Sequence, residues 1–249
     1  MNYPLLVFVA ALALTVLSTW FGDSLRRRQG VSKEEGRSDA GLLLGATLTL
    51  LFFIIGFSFS MAVNRYDLRK TCEQAEAIAI GTEYSLADLL APSDAAKVQT
   101  LLKKYLDQRM LFYTTRSSSR ASEITADTLR LQTELWSTLR PAIAGVPAPL
   151  MGVLVSGMND VTKSQRSSQA AWLNRIPVAA WSLMAIIGIG CCWLIGYRAR
   201  RTDWVALLLV PLAVSICFFL IADLDSPRGG AIHVAPQNLS SLSQSLPAQ

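Results

Sequence analysis

The stretch Gly41 to Val63, GLLLGATLTLLFFIIGFSFSMAV, decides the fold. It contains no Asp, Glu, Lys or Arg. As a helix it is long enough to cross a hydrocarbon core of about 30 Å, which takes roughly 20 residues. In lipid an isolated segment satisfies its backbone N–H and C=O groups only by coiling into a helix. Three more uncharged stretches of similar length follow the same logic: Tyr3 to Phe21, Ile176 to Tyr197 and Trp204 to Ala222. The composition agrees, with 51% hydrophobic residues, 16% charged and a positive mean hydropathy. The expected architecture is all-α: four transmembrane helices, with an extramembrane helical domain between the second and third.

The chain therefore divides into residues 1–63 (spans one and two with a basic connecting loop), 64–175 (the helical domain), 176–224 (spans three and four) and 225–249 (a polar tail). The first span is read as retained rather than as a cleaved secretory signal. Its start carries no positive charge, and Arg26, Arg27 and Arg28 follow it directly. Of the four cysteines, Cys191, Cys192 and Cys217 lie inside spans and only Cys72 outside, which supports no disulfide framework and suits buried small residues. Arg26 to Arg28, Lys33 and Arg37 after span one, and Arg198, Arg200 and Arg201 after span three, place those short loops in the cytoplasm by the bias of Lys and Arg. On that count both termini and the helical domain lie outside. Arg65, Arg69 and Lys70 beside the membrane weigh the other way.

Within the domain, Leu101, Leu102, Tyr105, Leu106 and Met110 recur at helical spacing behind a start at Pro92, where Ser93 or Asp94 is positioned to cap. Ile124, Leu131, Leu135 and Leu139 form a second stripe, expected to end before Pro141. After the Pro- and Gly-rich 141–149 segment a third stretch runs through Leu150, Leu154, Met158 and Val161, and Pro177 marks the start of span three.

Catalytic patterns are scarce. The single histidine, His233, has no metal-ligand spacing around it, and no phosphate-binding loop precedes a helix. An intramembrane enzyme lacks charged residues or a metal-ligand pair in the spans. No enzyme, cofactor, metal site or nucleic-acid partner is expected; the net charge of +5 fits topology and anionic lipid. The most informative face is on span two. Thr49, Phe53, Gly56 with Phe57, Ser60 and Asn64 form a stripe mixing aromatic with small polar groups, while Leu50, Leu51, Ile54 and Ile55 suit packing. Such a stripe fits a pore, whose apolar constrictions gate by dewetting. It also fits ordinary helix packing, which uses small and hydroxylated residues. Just beyond it, Glu73, Glu76 and Glu83 share roughly one face. That pattern reads as a solvated row paired with neighbours such as Arg69, or as a ring of charge in an oligomer.

Gly56-Phe57 followed by Arg65-Tyr66 resembles the bestrophin pattern at the end of a pore helix. The run from Gly56 to Ala62, then Glu76-Ala77-Ile78-Ala79-Ile80-Gly81-Thr82, Leu86 to Leu90 and the tail Asp223-Leu224-Asp225-Ser226-Pro227-Arg228-Gly229-Gly230 are similar to a bacterial family of unknown function described as bestrophin-like. The resemblance implies a four-span subunit of a homopentamer in the bacterial inner membrane. Span two would line a pore for small anions, with Thr49, Phe53 and Phe57 at the neck, Ser60 and Asn64 below them, and Arg65, Arg69, Glu73 and Glu76 at the mouth. Thr49 departs from the usual aliphatic neck residue. Asp223 and Asp225 are fewer than the acidic run of the bestrophin calcium clasp, so calcium dependence is not expected. The resemblance also implies a cytosolic helical domain and termini, against the loop charges. The alternative is a non-conducting membrane-anchored scaffold or sensor whose helical domain binds a partner.

Overall fold

The computed structural model describes residues 4–29, 35–198 and 204–247, with side chains outside 29, 35–40, 118 and 204–206. The expected bases Lys33, Arg200 and Arg201, and the Arg37 side chain, lie outside the described residues. The helices are α1 (Pro4–Gln29), α2 (Glu35–Leu86), α3 (Pro92–Thr114), α4 (Ser118–Ala142), α5 (Ala148–Leu173), α6 (Val178–Arg198), α7 (Trp204–Asp225) and α8 (Gln237–Ser245). No strand occurs among the described residues. Among the described residues four helical stretches are long and apolar enough to cross a membrane: Pro4–Arg28, Gly41–Leu89 (uncharged as far as Asn64), Ala148–Arg198 (in which α6 carries the uncharged run) and Leu207–Asp225.

The residues form two compact units, Met1–Arg65 with Arg175–His233, and Tyr66–Asn174 with Val234–Gln249. In the first, α1 packs on α6 through small residues and on α7 with Phe8 edge-on to Phe219. A Cβ at Gly196 would fall on the carbonyl of Thr19, and one at Gly22 on that of Trp193, so these helices meet backbone to backbone. Close approach of this kind is how helices associate where burial in lipid supplies no hydrophobic drive. The Ser18 hydroxyl adds a bond to the carbonyl of Ile189 at 2.8 Å. Gly188 rests against Val214, Phe218 and Leu51, and Leu51, Met184, Cys192 and Ile221 are fully buried. Leu5, Leu14, Trp20, Phe52, Ile186 and Leu209 are exposed on this unit, an amount of apolar surface that a soluble fold does not leave to water.

The second unit buries most of the stripes read from the sequence: Leu101, Leu102, Tyr105 and Leu106 on α3, Ile124, Leu131, Leu135 and Leu139 on α4, and Leu154, Met158 and Val161 on α5; Met110 is half-buried and Leu150 exposed. Two boundaries differ from expectation. Neither Ser93 nor Asp94 caps α3: Pro92 opens the helix behind Ala91, and Asp94 instead pairs with Lys97 at 3.0 Å. α4 passes Pro141 and ends at Ala142, because a proline in the last turn forfeits a single bond where the ladder is already ending. The Ser-rich tail is not featureless. It forms α8, which buries Leu239 and sets Leu242 3.0 Å from the position of a Cβ on Gly81.

Candidate functional site

Span two presents a packed and an open face. Leu51, Ile55, Ser58 and Ala62 are buried within the first unit. Phe53 and Phe57 are 72% and 62% exposed, Thr49, Ser60 and Asn64 are exposed too, and no described residue lies within 4 Å of a Cβ placed on Gly45 or Gly56. The five expected pore residues thus share one uncovered strip of the subunit. Leu50, Phe52 and Phe59 flank it and are exposed as well, so the uncovered surface is wider than the stripe. The Thr49 hydroxyl is satisfied by its own helix, donating to Gly45 O at 2.9 Å, which leaves it no need of a neighbour.

The four charged residues expected at the mouth part company. Arg65 is half-buried, and its Nε and Nη1 meet no acceptor among the described residues. Arg69, Glu73 and Glu76 instead lie inside the second unit, each at most 2% exposed. The reading of these acids as a solvated row or a ring of charge is corrected accordingly. Glu76 receives two bonds from Arg109, from Nε at 2.7 Å and Nη2 at 2.9 Å, and a third from the Tyr113 hydroxyl at 3.2 Å. Tyr113 in turn meets Ser168 of α5 at 2.7 Å, and the Arg109 guanidinium lies 4.4 Å from the Phe112 ring centroid. Burial alone would lower the Arg109 pKa, but the attraction and hydrogen bonds of Glu76 outweigh it and raise it. Burial also lifts the phenols of Tyr105 and Tyr113, keeping both protonated; the Tyr105 hydroxyl accepts from Gln132 Nε2 at 3.1 Å. Glu73 accepts from Asn238 Nδ2 at 2.6 Å and from the Leu239 N–H at 2.9 Å, fixing the first turn of α8 with a carboxylate where a helix start favours one. Arg69 Nε reaches the carbonyl of Ala171 at 3.4 Å. Charges that face inward with intramolecular partners are not available to a water-filled mouth.

Sequence reasoning passed over Arg109, Tyr113 and Asn238. Arg109 sits between the apolar positions of α3, and a buried cation among core residues is a signal for a buried acid. The tail motif also acquires a role. Asp223 accepts from the N–H groups of Ala231 and Ile232, both at 2.8 Å, and Asp225 from that of Ile176 at 3.0 Å. A Cβ on Gly230 would stand 2.7 Å from the Asp223 carbonyl, so the turn needs glycine. Both aspartates bind backbone amides, and no group of three metal-ligating side chains occurs among the described residues. His233 is exposed, its Nδ1 3.1 Å from Ala231 O.

Four apolar helical stretches with a separately packed helical unit define a multi-helix membrane protein with the bestrophin fold. A family model, the Bestrophin-like domain, matches residues 9–239, and the chain belongs to that family. Its fold is similar to crystal structures of a bacterial bestrophin homolog from Klebsiella pneumoniae. A tryptophan-to-alanine variant of that homolog matches with TM-score 0.68 and 12% identity over 96% of this chain and 97% of that one. A leucine-to-threonine variant matches at 0.65 and 14% over 95% and 96%. The form solved by zinc phasing matches at 0.60 and 17% over 96% and 99%. No curated protein matches the chain in sequence.

Proposed function

We propose that the protein is a homopentameric anion channel of the bacterial inner membrane, with α2 of each subunit lining a central pore through Thr49, Phe53, Phe57, Ser60 and Asn64. The observation that carries this reading is the uncovered strip on α2: two phenylalanines more than 60% exposed, opposite a face that is fully packed. Among the described residues of one subunit nothing covers Phe53 or Phe57, and membership of the bestrophin-like family supports placing the strip at a ring axis. Phe53 and Phe57 would form the apolar constriction, where water is held only weakly and ions pass when the ring widens. The hydroxyl and amide groups of Ser60 and Asn64 would solvate an ion beyond it. Arg65, half-buried and one residue beyond Asn64, is the base assigned to the mouth. Arg69, Glu73 and Glu76 are assigned to holding the helical unit together.

The test is anion flux into liposomes carrying the purified protein, run beside a Phe53→Ala, Phe57→Ala double variant. Faster flux in the variant is the expected result. No flux from either protein, with reconstitution and oligomer verified, would replace the channel with a membrane-anchored scaffold acting through its helical domain.

A further inference from the structure

Glu83, one turn before the end of α2, differs from the acids that precede it. Its side chain is fully buried, and neither carboxylate oxygen meets a donor among the described residues. Charged residues stud α2 from Arg65 onward, so this part of the helix is outside the apolar span. Opposite the acid stands Gly157 of α5. A Cβ there would collide with Glu83 Oε2 and stand 3.0 Å from Leu86 Cδ1, so the missing side chain of Gly157 is what makes room for the Glu83 carboxyl. Beside this contact lies a groove of about 400 Å³, lined by Cys72, Ile78 and Thr82 of α2 and Asp160, Lys163 and Ser164 of α5.

The charged groups around it offer no compensation. On α5, Asp160 and Lys163 are exposed along the groove. On α2, Glu76 is engaged by Arg109; beyond its end Asp88 is exposed and accepts from Gln99 at 2.8 Å. On α3, Lys97 pairs with Asp94. On α8 there is no titratable side chain. Burial is the one cause that raises the Glu83 pKa, from 4.5 to about 8.

We propose that Glu83 is a proton-operated latch between α2 and α5: as the neutral acid it seats against Gly157, and as the carboxylate it draws in water, loosening α5 and widening the groove. The sign follows from linkage. The closed form holds its proton up to about pH 8, whereas an opened, hydrated carboxyl loses it in the ordinary range. Closing therefore binds a proton, and opening is favoured as pH rises through that interval, by up to about tenfold per pH unit. Above about pH 8 both forms are ionised and the effect levels off. The latch does not depend on conduction.

Amide hydrogen exchange of the full chain in detergent, corrected for the intrinsic rate, tests it between about pH 6 and 9. Protection of α5 around Gly157 is expected to fall by up to tenfold per unit to about pH 8 and then level, while Glu83→Gln stays flat. Unchanged protection in the wild type, or the same fall in Glu83→Gln, overturns the latch. Should that variant fail to fold, infrared titration of the wild-type protein decides. A carbonyl band of a protonated carboxylic acid that persists at neutral pH and disappears near pH 8 is expected, and its absence overturns the proposal.

Discussion

Replacing Arg109 with methionine tests the buried network most directly. The arginine is fully buried and Glu76 is 1% exposed, so the substitution removes a cation from a place that water does not reach. Glu76 would keep only the Tyr113 hydroxyl at 3.2 Å, in exchange for two charge-assisted bonds of 2.7 and 2.9 Å. The contact of the guanidinium with the Phe112 ring would vanish as well. Removing one partner of such a pair costs about 3–5 kcal/mol, because the remaining charge stays buried and unpaired. For a unit of this size that lowers the apparent Tm by on the order of 10 °C. Thermal unfolding of the detergent-solubilised protein, followed by intrinsic fluorescence, measures the shift. The double variant Arg109→Met, Glu76→Gln removes both charges and is expected to recover most of the loss, since a neutral pair in the same space has no ionic desolvation to offset. A single variant within about 2 °C of wild type, or a double variant as unstable as the single, would refute the view that this ion pair is the polar centre of the helical unit.

Glu73→Gln retains the size of the side chain but weakens its grip on the Leu239 N–H and Asn238; α8 should loosen at a cost of about 1–3 kcal/mol, read as faster carboxypeptidase trimming of the C-terminus. Gly196→Leu places a side chain on the Thr19 carbonyl and should separate α1 from α6, seen as a marked loss of folded protein in mild detergent, whereas Gly190→Ala, with open space at its Cβ, should be tolerated.

The four spans were legible because lipid imposes a one-dimensional rule: a long run without charge has to be a helix, whatever surrounds it. The apolar stripes of α3, α4 and α5 were legible for a related reason, since a period near 3.6 names the buried face before its partner is known. Helix ends were read less well. Pro92 and Pro141 each marked a boundary to within two residues, but which group caps α3 depended on local backbone geometry rather than on residue type.

The exposed strip of α2 occupies an intermediate position. Its spacing was visible in the chain, but which residues were covered depended on packing: Leu51, beside Gly188 of α6, and Ile55 are buried, whereas Phe53 and Phe57 are exposed. The charged row beyond it was out of reach for sequence reasoning. Glu76 pairs with Arg109 across 33 positions and Glu73 with Leu239 across 166, so their neighbours along the chain carried no information about their burial. The sequence by itself determined that the chain enters the membrane as helices, because hydrophobicity acts residue by residue. Only the tertiary structure decided which charges on α2 face inward, because a buried acid such as Glu73 or Glu76 is stable there when a distant segment brings it a donor.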